Sequence, residues 1–493
     1  MSEDRNFKEG LKGTTLFGGV SIINILISII KSKVVAVLLG PAGMGVLGLF
    51  HSSIDVVNKS TNFSLRTSAI KNVSEAYSTS DTQRLARTYS VFSKLILCTG
   101  FIGLILFSLL SPYFSYSSFG DYSYTVPLII LSLSLPLIQL FDGQNVLMQA
   151  TRHLKNLAKS NILGNILSLI IAIPLYYIWG ISSIAYTILL GYLVHYLVAY
   201  YYTKNIKAPQ IKVSIREAFT EGKGMLKMGF FISLQGIFVT LSAYIIRAYL
   251  SSTTGVEEVG LYTAGFYIIN TYTGLVFNAM ATEYYPRIAS FSNNNEAITK
   301  AVNSQFELSL VLLAPLVCIF IMMGSVIINL LYSDKFLAIT MMINISMIGM
   351  FFKAPSWCLG FVFLAKGNSK YYFWNELFAI IVNFTLNILF YRIWGLNGMG
   401  IAFTLSFFLY WIQQWIICNY LYNYNVDKRL FRFIIPQLLF AFLCLMCTMS
   451  NHLVLHYGIG IILCLFSMFL SYYVMKEKID FTSIIKRVKL RKF

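Results

Sequence analysis

Thr14–Leu39 reads TTLFGGVSIINILISIIKSKVVAVLL, and GPAGMGVLGLFHSSIDVVNKSTNF continues from Gly40 to Phe63. An α-helix needs about 20 predominantly apolar residues to cross the ~30 Å hydrocarbon core of a bilayer. The first run satisfies that length, a Gly-Pro break ends it, and a second run starts at once. The same template carried along the chain predicts fourteen spans. They lie at 14–39, 44–63, 88–111, 125–148, 160–178, 181–203, 227–250, 260–282, 307–332, 336–363, 371–393, 397–422, 433–450 and 454–475.

Composition agrees. Of 493 residues, 57% are hydrophobic and only 12% charged, against about 25% charged in soluble domains, and the mean hydropathy is +0.68. These values exclude a soluble enzyme with one anchor. They also exclude an outer-membrane barrel, whose alternating strands carry no long apolar runs. The reading is an all-α polytopic membrane protein with about fourteen transmembrane helices. Lys31 and Lys33 sit inside the first apolar run, which is too long for a cleavable signal.

The formal net charge of +18 suggests nucleic acid in a soluble chain, but its location says otherwise. With the N-terminus inside, thirty of the 38 Lys and Arg fall on cytoplasmic segments and only Lys335 and Arg392 on outer loops. That is the positive-inside pattern. It places both termini in the cytoplasm and makes the basic tail 476–493 a solvated or headgroup-facing segment, not a nucleic-acid arm. The seven cysteines lie in apolar stretches, and Cys444-x-x-Cys447 has no second pair or His set, so no disulfide framework, metal or cofactor is expected.

The chain repeats itself at an offset of 215 residues: Gly40 and Gly45 match Gly255 and Gly260, Ile178-Trp179-Gly180-Ile181 matches Ile393-Trp394-Gly395-Leu396, and Lys155 falls on Lys370. The expected organisation is therefore two pseudo-symmetric six-helix lobes, 1–210 and 211–425, an extra helix pair at 426–475, and the tail. Parallel repeats are a transporter architecture with the substrate site near the midplane.

Six cations remain within or at the edges of spans: Lys31, Lys33, Lys59, Lys94, Arg247 and Lys353. A charge at the bilayer centre costs about 2.5–3.5 kcal/mol on insertion scales, so it faces protein or water. Ser21, Asn24, Ser28 and Lys31 form one polar stripe; His51, Asp55 and Lys59, at i, i+4 and i+8, form another, where Asp55 and Lys59 could pair. Lys33 lies toward the opposite side of its helix, snorkelling or meeting another helix. Arg247 falls within one residue of the repeat equivalent of Lys31. Lys31, Arg247, Lys59 and Lys353 outnumber the intramembrane acids Asp55 and Asp142, with Glu376 at a helix end. A cationic cavity selects an anion, diphosphate in particular. The four cations are the candidate substrate ligands; Asp55, His51, Asp142 and Glu376 are the candidates for ion coupling or cavity tuning.

Lys33–Phe50, with its Gly40-Pro41-Ala42-Gly43-Met44-Gly45 turn, resembles the polysaccharide-transport branch of the multidrug/oligosaccharidyl-lipid/polysaccharide exporters, and Gly255–Tyr262 is similar to that family's second-lobe turn. The likeness is greatest to the O-antigen (Wzx-type) flippases. It implies two six-helix lobes that alternate access around a cationic cavity. It also implies translocation of undecaprenyl-diphosphate-linked oligosaccharide across a bacterial inner membrane, toward O-antigen and lipopolysaccharide assembly. Lys31 and Arg247, and Lys59 beside them, match the family's lumen cations by position. The extra pair 433–475 departs from the twelve-span branch and resembles lipid II flippases. Implied partners are the lipid-linked substrate, membrane lipids and polysaccharide polymerase machinery.

Two other readings compete. A membrane polymerase or ligase needs a substantial outer loop for catalytic groups, and none exceeds about 15 residues; no Walker loop or metal spacing occurs either, so no enzyme is expected. A cation-coupled multidrug exporter of the same superfamily requires a net acidic cavity, opposite to the count above.

Overall fold

The computed structural model describes residues 2–78, 81–206, 211–450, 452 and 454–478, with side chains except those of 2–18, 21, 22, 231, 282, 454–456, 477 and 478. Lys207, the Ser21 side chain and the basic tail beyond 478 lie outside the described residues. The described chain is helical, without strands. In order come α1 (Ser2–Thr61), α2 (Leu65–Ser78), α3 (Thr82–Phe119), α4 (Thr125–Ser132), α5 (Ser134–Ala150), α6 (Leu154–Trp179), α7 (Ile184–Thr203) and α8 (Ile215–Glu221). Then follow α9 (Lys223–Thr254), α10 (Val256–Ser290), α11 (Asn295–Leu331), α12 (Thr340–Ile348), α13 (Met350–Ala365), α14 (Ser369–Tyr422), α15 (Lys428–Thr448) and α16 (Gly460–Lys478).

Among the described residues nine helices are long and apolar enough to cross a membrane, or ten if the bent pair Asp334–Ile348 and Met350–Ala365 is one span. Fourteen were expected; breaks account for thirteen, and α10, which holds the expected span 260–282, is not among the helices apolar enough to cross. Ile23–Thr61, Leu154–Thr203 and Ser369–Tyr422 each contain two expected spans. A straight helix of 39 residues would run roughly 58 Å at 1.5 Å per residue, far beyond one ~30 Å hydrocarbon core. The chain breaks them at glycines instead. Gly40 (φ 66°, ψ −166°) divides α1 and Gly395 (φ 57°, ψ −141°) divides α14, while Gly180 (φ 56°, ψ −137°) caps α6. Gly255 (φ 103°, ψ 173°) separates α9 from α10. Only glycine adopts these backbone angles readily. The four are two repeat-related pairs, Gly40 with Gly255 and Gly180 with Gly395.

A third pair shows the same local structure reached with different residues. After α5, His153 N–H donates to Met148 O at 2.8 Å; after α13, Asn368 N–H donates to Phe363 O at 2.9 Å. Both are the closing bond of a helix-terminating left-handed turn. The residue carrying the positive φ is Gly367 in one and Arg152 in the other, so the first turn bears strain the second does not.

By packing, the chain forms two compact units, 1–263 with 331–335, and 264–330 with 336–493. In the first, α1 packs on α3, α6 and α9, and α5 on α3 and α7. Backbones approach closely at the glycine turns. A Cβ on Gly45 would fall 1.9 Å from Val256 O, and one on Gly260 would fall 1.9 Å from Pro41 O. Adding 215 to Pro41 gives Val256, so the two contacts are one contact repeated. Gly48 meets Thr263, its own repeat equivalent, with the Thr263 Oγ1 2.7 Å from a built Cβ. Small residues permit this approach between membrane helices. In the second unit α12 and α13 pack on α14, and α15 on α16 and α12. Large apolar side chains such as Leu109 (73% exposed) and Leu330 (74%) face outward. That is the surface of a multi-pass membrane protein, not of a soluble one.

Loop ends are tied by specific polar contacts. Asp81 caps α3 through Gln83 N (2.9 Å) and Arg84 N (3.0 Å). Ser214 and Glu217 form a capping box on α8, and Arg87 reaches across to Glu221 (2.6 Å) and Glu217 (3.3 Å). The Ser214 backbone N–H and hydroxyl, with Arg87, hold Glu217 below the usual carboxylate range; Arg87 does the same for Glu221.

Candidate functional site

The first unit holds a cavity of about 220 Å³ where α1, α6 and α7 meet. The two halves of α1, on either side of Gly40, supply Lys31 and His51; α6 supplies Ser168 and Tyr176; α7 supplies Thr187, Tyr192 and His195. Lys31 has no hydrogen-bond or ion-pair partner among the described residues. The His195 ring rests on Gly164, where a Cβ would come within 2.5 Å of its Nδ1, and meets Phe141 edge-on at 5.3 Å. That Nδ1 is buried and unpartnered. It faces the α6 helix at Gly164. The lining contains a lysine, two imidazoles and four hydroxyls, and no carboxylate.

Beside it, on the same α1 face, lie Asp55 and Lys59. They do not close an ion pair, and neither has a hydrogen-bond partner among the described residues. The Asp55 carboxylate feels the charges of Arg247 and Lys59, and the His51 ring feels those of Lys31 and Arg247. Arg247, on α9, is oriented by Ala243 O (3.1 Å) and Thr263 Oγ1 (3.5 Å) and lies 5.8 Å over the Tyr262 ring. The Lys59 stem crosses Gly236, also on α9, with Cδ 3.5 Å from a built Cβ. Lys33 turns elsewhere and donates to Tyr332 O. Asp142 is engaged by Arg66 at 2.8 Å.

Lys353 and Glu376 belong to the second unit, where they share a cavity of about 240 Å³ between α13 and α14. The Lys353 ammonium lies over three rings, Phe407 at 5.3 Å and Phe277 and Phe403 at 5.7 Å. Tyr410 donates its hydroxyl to Glu376 Oε1 at 2.5 Å. The structure thus brings Lys31 and His51 together, sets Asp55, Lys59 and Arg247 alongside them, and puts Lys353 with Glu376. It adds His195, Tyr192 and Trp357, which sequence reasoning missed. His195 carried a readable signal, an imidazole inside an apolar span; Trp357 looked like any membrane aromatic. Among the described residues no group of three His, Cys, Asp or Glu is placed to hold a metal ion.

No curated protein matches the chain in sequence. Its fold is similar to that of the lipid II flippase MurJ in an inward closed conformation (TM-score 0.70, 14% identity, covering 95% of this chain and 99% of that one). It is also similar to an inward-facing multidrug resistance MATE transporter of the MOP superfamily (TM-score 0.66, 15% identity, 80% and 93% covered). A third is the MATE multidrug transporter DinF-BH (TM-score 0.58, 14% identity, 82% and 95% covered). The family model described as polysaccharide biosynthesis protein matches residues 34–341. The chain has the fold of the multidrug/oligosaccharidyl-lipid/polysaccharide exporters and belongs to the polysaccharide biosynthesis protein family.

Proposed function

We propose that the protein is a flippase, a transporter and not an enzyme, that carries an undecaprenyl-diphosphate-linked oligosaccharide from the cytoplasmic to the outer leaflet. The observation that carries this reading is the carboxylate-free, hydroxyl-lined cavity around Lys31, with Arg247 and Lys59 close by. Unpaired cations held inside apolar helices are costly unless an anion uses them. Hydroxyls and an ammonium together satisfy the oxygens of a diphosphate. Lys31, Arg247 and Lys59 bind that group, Asp55 and His51 tune or couple the site, and Asp142 holds its shape through Arg66. On this reading the lobes are 1–210 and 211–425, the membrane is a bacterial inner membrane and both termini are cytoplasmic. The glycan is an O-antigen-like repeat unit, delivered to polymerase machinery on the far side.

The multidrug alternative draws support from the likeness to MATE transporters. It requires a cavity that attracts cations, and the Lys31 cavity repels them. The test is translocation of a fluorescent lipid-linked oligosaccharide in proteoliposomes. The wild type moves it and Lys31→Ala at equal reconstitution does not; efflux of an organic cation with no movement of the lipid-linked sugar would replace this reading by the other.

A further inference from the structure

We infer that the cavity between α13 and α14 is a saccharide subsite that takes one neutral sugar ring. The inference rests on the flippase reading only for the source of that sugar. Its walls come from two surfaces. On α13, Lys353, Ser356, Trp357, Gly360, Phe361 and Leu364 recur at helical spacing and form one face. On α14, Tyr372 and Glu376 precede the Gly395 break, and Phe407 and Tyr410 follow it.

Each other class of ligand meets an obstacle in these walls. An organic cation meets the Lys353 ammonium, and an anion meets the Glu376 carboxylate; the two formal charges cancel. A hydrocarbon would cover the Lys353 ammonium, which has only aromatic rings against it among the described residues, and offer it no hydrogen-bond acceptor, which is costly. A pyranose satisfies both kinds of wall. Its C–H face lies on an indole or phenyl ring, and its hydroxyls donate to the carboxylate and accept from the ammonium. Ser356 already donates to Phe352 O at 2.7 Å, so its oxygen is turned to accept.

The aromatic platform is held in place before any ligand arrives. Trp357 stacks on Tyr284 (centroids 5.5 Å, 29°) and meets Phe361 edge-on (5.1 Å, 79°) and Phe277 at 5.3 Å. A rigid ring loses little entropy on binding. The cavity, of about 240 Å³, has room for a sugar ring.

The experiment uses the full chain in nanodiscs and three probes: neutral methyl glycosides of hexoses and N-acetylhexosamines, undecaprenyl diphosphate without sugar, and the lipid-linked oligosaccharide. Saturation-transfer NMR reads the glycosides; competition with a fluorescent lipid reads the other two. We expect at least one glycoside to bind the wild type, and Trp357→Leu and Glu376→Gln each to weaken it about tenfold. The same variants weaken the lipid-linked oligosaccharide by a similar factor and leave undecaprenyl diphosphate within twofold. Tyr372→Phe removes one hydroxyl without touching the ring packing and loses a few-fold in glycoside binding. Glycoside binding unchanged in Trp357→Leu and Glu376→Gln, or undecaprenyl diphosphate lost in step with it, overturns the subsite. So does a cleft that answers to sodium ions and to no glycoside. A wild type that binds glycosides here but not undecaprenyl diphosphate supports the subsite and removes the flippase reading.

Discussion

The two units carry cavities of nearly equal size and opposite character. The one around Lys31 has a cation, imidazoles and hydroxyls in its walls; the one around Trp357 pairs a cation with a carboxylate and adds five aromatic rings. Both have glycine at the packing surface, but not to the same end. Gly164 makes room that the His195 ring already fills, whereas Gly360 leaves 3.5 Å between a built Cβ and Gln414 Nε2. Duplicated helices thus supply the frame, and side chains outside the repeat's matched positions supply the chemistry. Lys31 and Arg247 come within one residue of repeat-equivalent positions, but Lys353 and Trp357 correspond to Ile138 and Asp142.

The largest effect should separate the two lysines. Lys31→Ala is expected to reduce binding of undecaprenyl diphosphate roughly tenfold to a hundredfold, the worth of a charge-assisted hydrogen bond. Lys353→Ala should change it less than threefold. Equal losses in a lipid competition assay would erase the distinction. Next, Gly164→Val drives a branched side chain into the His195 ring and should lower stability by about 1–3 kcal/mol. Gly360→Ala adds only an ordinary contact and should cost under ~1 kcal/mol; thermal unfolding in detergent compares them. Arg66→Gln removes a half-exposed partner of Asp142 and should cost about 0–1 kcal/mol by the same measurement. A loss several times larger would make that pair part of the site.

The smallest effect is one of pH on the ties outside the membrane. Glu217 and Glu221 titrate below the usual range, so their contacts with Arg87 are complete above it and are lost as pH falls through their depressed values. In the second unit Lys366 ties its loop to Ser292 O and Asn295 Oδ1, both at 2.5 Å, and acid does not titrate these groups. Hydrogen exchange should therefore rise in 211–222 on acidification before it rises in 291–296. The reverse order would show that Arg87 does not hold α8.

The turns were the most legible part of the fold. Gly40, Gly180, Gly255 and Gly395 announce themselves by residue type and by offset, and the backbone there does what only glycine allows. The number of spans was less so, because hydropathy marks apolar length and says little about α10, whose first turn holds Glu257 and Glu258. Of the site, Lys31 and His51 were readable as polar groups where none is cheap. Their neighbour His195 is more than 140 positions away, and the partner of Asp142 lies 76 positions off. Local spacing cannot rank such pairings; only the packing of α1 on α7, and of α2 on α5, does.

The contacts of Gly45 with Val256 O and of Gly260 with Pro41 O are made by backbone, with only the apolar Val256 side chain beside the first. Nothing there ionises, and nothing there is screened by salt. Any motion that parts 40–48 from 255–263 must break both contacts, because each is the repeat equivalent of the other. One cation reaches this seam from the side: Arg247 donates to Thr263 Oγ1, the residue that Gly48 meets, so the charge beside the cavity is tied to the seam.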